Sequence, residues 1–299
     1  MTLRRNQFLA GAAGIAAAGA GLRMAEASGD PLRELSQLET DTGGRLGVCA
    51  FDAGSGRTIR YRAGERFAMC STFKLPAVAA VLAQVDLGID SLDRRVRYGT
   101  SDLLAYAPET RKHLHGGSMT LAALCGAAIE YSDNTAANLL LRTLGGPAGV
   151  TRYVRTLGDS VTNLNRSEPA LNSAIPGDPR DTTAPAAMLM DMRLLLLGTS
   201  LSAGSRTRLV GWLKNCRTGM DCLRAGIPPS WTAGDKTGSG GAVNAAGASS
   251  TRNDVAIVWP PKRSPLLVTA YLTQSKLSAA QSDAALVTVA RIVTRALSI

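Results

Sequence analysis

The stretch Cys70-Ser71-Thr72-Phe73-Lys74-Leu75-Pro76-Ala77-Val78-Ala79-Ala80-Val81-Leu82-Ala83-Gln84-Val85 divides two kinds of sequence. From Ala77 its apolar residues recur at helical spacing, which predicts a helix over 77–85. Pro76 is tolerable there only because it lies close to the first turn. Upstream, Leu32, Leu35 and Leu38 predict a short helix over 31–38, which Gly43-Gly44 end. Residues 45–52 and 58–62 then read as strands joined by a turn at Gly54-Ser55-Gly56, a hairpin. Downstream, the pattern from 71 to 212 is mostly helical, with apolar spacing near 3.6 over 120–131, 135–144, 150–157 and 184–197. The span 163–183, with Pro169, Pro176 and Pro179, shows no periodicity; a loop of that length inside a compact domain is usually functional. Strand patterns return at 232–236, 255–260 and 266–273, and a helix over 278–297 closes the chain. Strands at both ends with helices between predict one sheet completed by both termini, with an all-helical insertion. The fold class is therefore α/β (α+β), an antiparallel sheet flanked by helices. Residues 28–67 and 213–299 would form the sheet domain and 68–212 the helical domain.

Composition narrows the function. The chain has 299 residues, of which 45% are hydrophobic and 19% charged. That is enough to bury a large core, and it excludes both a disulfide-stapled miniprotein and a disordered chain. The net charge is +10, but aromatic residues are only 4% and the basic residues are scattered, so a base-stacking nucleic-acid surface is not indicated. There are two histidines, His113 and His115, in a polar stretch that reads as a surface loop. A multi-histidine zinc site would have to come mainly from other ligands and a Ser-His-Asp triad has only that pair to draw on, so a hydrolase built from this chain is expected to use a base other than histidine.

Residues 1–27 read as an export signal. Arg4-Arg5, Phe8-Leu9, a weakly apolar run from Ala10 to Leu22, and Ala25-Glu26-Ala27 supply its charged, apolar and small-x-small parts. The paired arginines resemble a twin-arginine signal, although Phe8 stands one place late and Arg23 is a charge close to the cut. The mature chain would begin near Ser28 and be periplasmic, with no membrane anchor. Cys49, Cys70, Cys125, Cys216 and Cys222 leave at least one thiol unpaired. Cys216 and Cys222 could close a short loop, but buried free thiols are the default.

Four short motifs occur in order: Ser71-Thr72-Phe73-Lys74, Ser132-Asp133-Asn134, Glu168-Pro169-Ala170-Leu171-Asn172 and Lys236-Thr237-Gly238. A serine hydroxyl needs a nearby base to act as a nucleophile. With Ser71 at a helix start, Lys74 lies one turn on, on the same face. The helix N-terminus adds free N–H groups and positive potential, which suit a developing oxyanion. Taken singly, each motif has a plainer reading: a cap followed by a surface lysine, a helix start, loop material, a turn. Their conjunction in this order is far less frequent by chance.

This set resembles that of the class A serine β-lactamases, and the likeness spans the mature chain. Cys70-Ser71-Thr72-Phe73-Lys74 and Arg252-Asn253-Asp254 resemble inducible broad-spectrum members from Gram-negative bacteria. The resemblance implies a β-lactamase/transpeptidase-like fold with the active site in the cleft between the two domains, and hydrolysis of penicillins and cephalosporins, conferring resistance. It assigns the chemistry wholly to serine, lysine and glutamate, so no metal or other cofactor is expected and metal chelators should leave activity intact. In that reading Ser71 forms an acyl-enzyme, and the amides of Ser71 and Ser239 make the oxyanion hole. Lys74 and Glu168 share the proton traffic, with Glu168 activating the deacylating water and Asn172 helping to hold it. Ser132 protonates the departing nitrogen, assisted by Lys236. Thr237, Ser239 and Arg252 hold the substrate carboxylate, Asn134 the side-chain amide, and Tyr106 lines the entrance. Arg166 and Asp181 would pair to pin the loop that carries Glu168, and the Glu168–Pro169 bond would be cis.

The departures also carry expectations. Residues 240–250 exceed the usual turn after Lys-Thr-Gly. Val78 stands where the partner of Cys125 would be, so that disulfide is not expected. Gly240 stands near the position at which the carbapenem-hydrolysing branch bridges the cysteine before the nucleophile, so strong carbapenemase activity is not expected. Cys222 falls where some members have an arginine. The runner-up is a D,D-peptidase or other penicillin-binding protein acting on peptidoglycan stem peptides. It would share the serine and lysine machinery but lack the deacylating Glu168 with Asn172. A tethered β-lactam sensor and an exported basic binding protein are further alternatives. The expected partner is a small-molecule β-lactam, acted on by a monomer.

Overall fold

A computed structural model describes residues 29–298, so the leader assigned to 1–27 lies outside the described residues. In chain order the elements are α1 (Pro31–Thr42), β1 (Arg45–Asp52), β2 (Thr58–Tyr61), β3 (Phe67–Ala68), a 3₁₀ turn (Cys70–Phe73), α2 (Lys74–Asp86), β4 (Arg95–Arg97), β5 (Ser118–Thr120), α3 (Leu121–Glu130), α4 (Asn134–Thr143), α5 (Pro147–Thr156), β6 (Thr182–Thr183), α6 (Pro185–Leu196), α7 (Ala203–Lys214), β7 (Thr232–Val243), β8 (Ser249–Trp259), β9 (Leu266–Thr273) and α8 (Ala279–Leu297).

The main sheet is antiparallel, in the order β2-β1-β9-β8-β7, so the first two strands and the last three form one surface. β9 lies at its centre and is buried along its whole length. Its side chains alternate between two cores. Leu266, Val268, Ala270 and Leu272 face α1 and α8, with Leu35, Leu286, Val289 and Val293. Leu267 and Tyr271 face the helical side, with Phe67, Val255 and Ile257. That second core continues into α2, whose residues Lys74 to Leu82 are all buried. A helix that is apolar on every side belongs in an interior rather than on a surface, and this explains why the Ala/Val run carries no polar stripe. Truncating Leu82 there would cost about 2–5 kcal/mol.

The caps follow from local chemistry. Asp30 accepts from the Leu32 amide, and Gly43, with φ +58°, ends α1 in the left-handed conformation glycine tolerates. Thr120, Asp133 and Ser278 cap α3, α4 and α8 with their side-chain oxygens. Pro76 is the third residue of α2, where its missing N–H removes only a first-turn donor. β1 and β9 match their expected bounds; the other expected elements are present with ends shifted by one to a few residues.

The main difference lies in the hairpin of β7 and β8. The strands expected at 232–236 and 255–260 are longer, and run Thr232–Val243 and Ser249–Trp259. The Gly-Ser-Gly-Gly run at 238–241 has the composition of a turn, yet it pairs with 251–253 of β8 up to a bulge between Gly240 and Val243. Sterics account for its glycines. A Cβ on Gly238 would lie 2.7 Å from the Met69 carbonyl oxygen, and one on Gly240 would lie 2.6 Å from that of Asn172. His113 and His115 are both exposed beside a 3₁₀ turn, Leu114–Gly116. The five cysteines are buried free thiols, Cys216 and Cys222 included.

Candidate active site

Ser71 occupies the 3₁₀ turn that leads into α2. The preceding Cys70 has φ +46°, a conformation a non-glycine residue holds only when its surroundings impose it. Those surroundings are visible. Asn253 of β8 donates to the carbonyls of Ala68 and Met69 at 2.8 and 3.1 Å, and the Thr72 hydroxyl donates to the Met69 carbonyl at 2.8 Å. The turn is thus fastened to the sheet by Asn253 and closed on itself by Thr72.

Lys74 points back along the turn. Its Nζ lies 2.8 Å from Ser71 Oγ, 2.8 Å from the Ser132 carbonyl, 3.2 Å from Ser132 Oγ and 2.7 Å from Asn134 Oδ1. It also pairs with Glu168 Oε1 at 3.1 Å, both side chains being fully buried. An ammonium has three donors, so these contacts are shared. Burial lowers the Lys74 pKa, and the Glu168 carboxylate works against that shift.

Ser132 sits between α3 and α4 with φ +57°. Its neighbour Asp133 explains how that conformation is held. One carboxylate oxygen caps α4 through the Ala136 amide at 2.8 Å, and the other accepts from the Glu109 and Thr110 amides at 2.9 Å each. The same residue therefore fixes the start of α4 and the segment that follows Tyr106. Ser132 Oγ also accepts from Lys236 Nζ at 3.0 Å, so one hydroxyl lies between two lysines. Lys236 is fully buried on β7; burial first, and the nearby Lys74 charge among the lesser influences, bring its pKa down to about 8.

Glu168 reaches the site from the long segment 163–183. The Glu168–Pro169 bond is cis. Arg166 Nε donates to Asp181 Oδ2 at 2.5 Å, and Asp181 Oδ1 accepts from the amides of Asn165 and Arg166 at 2.8 and 2.9 Å. Asn138 of α4 brackets Glu168 itself, accepting from its N–H and donating to its carbonyl, each at 2.9 Å. The carboxylate then accepts from Asn172 Nδ2 at 2.5 Å and from Ser71 Oγ at 3.4 Å.

A cavity of about 280 Å³ opens onto these groups, and Ser71, Ser132, Asn134, Asn172, Thr237, Ser239, Arg252 and the half-exposed Tyr106 line it. Lys74, Glu168 and Lys236 are buried in its wall. All eleven residues proposed from sequence therefore converge. Arg252 pairs across the sheet with Ser239, so the longer hairpin still delivers it to the cavity. Cys70 Sγ faces Gly240, where a Cβ would lie 2.8 Å away. Larger hollows lie elsewhere, one of about 680 Å³ beside α2 and α5, but none of the four motifs reaches it.

Two contributors were not singled out from sequence. Asn138 is the first; its one signal was a position four residues after Asn134, on the same helical face. Thr218 is the second, lining the cavity with its hydroxyl 2.6 Å from that of Thr237, and nothing in its local sequence marks it. The Asp133 carboxylate, unassigned among the motif residues, holds the frame.

Comparison with known proteins agrees with this geometry. The family model described as "Beta-lactamase enzyme family" matches residues 31–297. β-Lactamase CTX-M-25 of Escherichia coli is 48% identical over 265 residues, covering 89% of this chain and 88% of that protein. β-Lactamase OXY-2 of Klebsiella oxytoca is 45% identical over 265 residues, covering 89% of each. Among solved structures, an ancestral class A β-lactamase is 54% identical with a TM-score of 0.85, covering 89% of this chain and all of that one.

Proposed function

This chain belongs to the class A β-lactamase family and hydrolyses the β-lactam ring, conferring resistance, and from that premise we propose how its residues divide the work. Ser71 Oγ attacks the lactam carbonyl and passes its proton to Lys74 Nζ in its neutral amine form, the form that burial favours. The oxyanion is received by the amides of Ser71 and Ser239. The C–N bond breaks as Ser132 protonates the nitrogen; Lys74 replaces the hydroxyl proton with the one it took from Ser71, while Lys236 on the other side keeps the site positive. Glu168, steadied by Asn172, then takes a proton from water, whose oxygen attacks the Ser71 ester. Ser71 leaves as its hydroxyl, regaining the proton that Glu168 took from water, and the ring-opened acid is released.

The remaining residues orient the substrate. Thr237, Ser239 and Arg252 receive its carboxylate and Tyr106 borders the entrance. Lys74 occupies the oxygen of the Asn134 amide, which leaves the Nδ2 group to donate to a carbonyl of the substrate side chain. The observation that carries this reading is the single nitrogen of Lys74 within 3.2 Å of Ser71, Ser132 and Glu168. Stem-peptide transpeptidation is not favoured, because the relatives are named β-lactamases and Glu168 with Asn172 supplies a deacylating pair.

The division into a sheet lobe (28–67 and 213–299) and a helical lobe (68–212) is also our reading. It is supported by a cavity lined from both, Ser132 on one side and Thr237 on the other. Among the described residues no helix is long and apolar enough to cross a membrane. We further propose export to the periplasm after removal of 1–27, with twin-arginine translocation as the route suggested by Arg4-Arg5, and action there as a monomer on small-molecule β-lactams. Mass spectrometry with benzylpenicillin tests the mechanism. The expected result is a transient adduct on Ser71 with ring-opened product accumulating. A permanent adduct without product would replace this reading with a penicillin-binding protein.

A further inference from the structure

Arg252 is held from behind by two groups that the proposed mechanism does not use. Its Nε donates to Asp283 Oδ1 at 2.5 Å, and its Nη2 donates to Cys222 Sγ at 3.0 Å. The Cys222 thiol in turn donates to the same Asp283 oxygen at 3.2 Å. The three side chains form a closed ring, in which the sulfur accepts one hydrogen bond and donates another. Cys222 is fully buried, whereas the Arg252 side chain is one-fifth exposed and borders the cavity. The sulfur is itself anchored. The adjoining Leu223 amide donates to the buried Asp254 carboxylate at 3.1 Å, which fixes this segment against β8 two residues beyond Arg252.

A guanidinium is a rigid fork with five N–H donors. Fixing one edge therefore fixes where the other edge points. Among the described residues no protein group accepts from Arg252 Nη1, which leaves that part of the fork for an anion in the cavity. The two holding groups differ in kind. Asp283 offsets part of the arginine charge, whereas the neutral thiol satisfies an N–H without offsetting any.

We propose that Cys222 is a positioning residue for substrate recognition, its thiol orienting the Arg252 guanidinium so that the free edge faces the carboxylate of the bound β-lactam. This rests on the reading that Arg252 receives that carboxylate. A thiol is a weak acceptor, so the arrangement is directional without competing strongly with the substrate for the arginine.

The test compares Cys222→Ala, Cys222→Ser, Arg252→Ala and the double variant Cys222→Ala/Arg252→Ala, on benzylpenicillin and on its methyl ester. Alanine and serine remove nearly the same volume, but serine keeps an acceptor. Cys222→Ala should raise KM for the free acid about five-fold, the worth of one hydrogen bond, with kcat little changed. Cys222→Ser should restore KM, and the ester should respond to neither. In the Arg252→Ala background, Cys222→Ala should add nothing. Cys222→Val, which fills the space without an acceptor, takes the place of alanine if that variant does not fold. Equal KM shifts for serine and alanine, equal shifts for acid and ester, or an undiminished effect in the Arg252→Ala background would each overturn the proposal. If Arg252→Ala itself leaves KM for the acid unchanged, the carboxylate role of Arg252 falls, and the proposal with it.

Discussion

Replacing Glu168 with alanine is expected to halt turnover at the acyl-enzyme while sparing its formation. Burial lowers the Lys74 pKa, and the Glu168 carboxylate 3.1 Å away opposes that shift. Without the carboxylate, Lys74 gives up its proton at lower pH than in the parent protein. The neutral amine, 2.8 Å from Ser71 Oγ, is the form that can accept the hydroxyl proton. Acylation therefore persists, and its rising pH limb moves down. Deacylation has no such substitute. A positioned general base is worth about 10²- to 10⁴-fold, or ~3–5 kcal/mol of barrier, so kcat should fall by that factor.

The same change affects stability. A charged Lys74 left unpaired in the interior would cost about 3–5 kcal/mol, which loss of the proton relieves. A lysine pKa below its unfolded value means that the folded state binds fewer protons, so the stability of the variant should rise with pH up to the unfolded lysine pKa. Stopped-flow measurement with a chromogenic cephalosporin should show a full burst followed by slow turnover, with a stable Ser71 adduct by mass spectrometry. A folded variant that gives neither burst nor adduct would make Glu168 the acylation base and refute the assignment of Lys74. Unchanged turnover would remove Glu168 from the mechanism.

Further outcomes follow from the same structure. The pKa of Lys236 is brought down to about 8, so kcat/KM for anionic β-lactams should fall as pH rises through that value and its positive charge is lost. Lys236→Arg should carry the falling limb to higher pH, and an unmoved limb would assign it to another group. Asn138→Ala removes both bonds that bracket the Glu168 backbone. Single-turnover kinetics should then show deacylation slowed more than acylation, with stability reduced by about 1–3 kcal/mol in urea melts. An equal effect on both steps would argue against a role specific to Glu168. Asp191 is buried and near Asp159, and these raise its pKa from the ordinary 3.8 to about 9. The folded chain thus keeps a proton that the unfolded chain releases, and stability declines as pH rises from about 4 through about 9. Asp191→Asn should raise Tm at pH 7 and flatten that decline; a lower Tm with an unchanged slope would contradict the account.

The parts of this protein legible in its sequence are those that depend on neighbours in the chain. The helix after Ser71, the hairpin of β1 and β2, the largely apolar β9 and the helix start at Ser132-Asp133-Asn134 each follow from residues within a turn or two, because side-chain period and capping are local properties. Ser71 and Lys74 belong to this class, since one helical turn brings them together wherever the helix lies. Family resemblance supplied the partners that locality could not, Glu168, Lys236 and Arg252.

What tertiary structure decided is how those partners are held. The aperiodic segment 163–183 says nothing of Asn138 bracketing Glu168 from thirty residues away, or of Asp181, expected to pair with Arg166, also collecting the amides of Asn165 and Arg166. The Gly-Ser-Gly-Gly run has the composition of a turn, and becomes strand because β8 pairs with it and the Met69 carbonyl leaves no room for a Cβ. Cys222 reads as an inert buried thiol until folding places its sulfur between Arg252 and Asp283. The physical reason is the same in each case. Periodicity records which face of an element is apolar, but hydrogen bonds between residues several turns or whole elements apart exist only once the chain has closed, and they leave no periodic trace in the sequence.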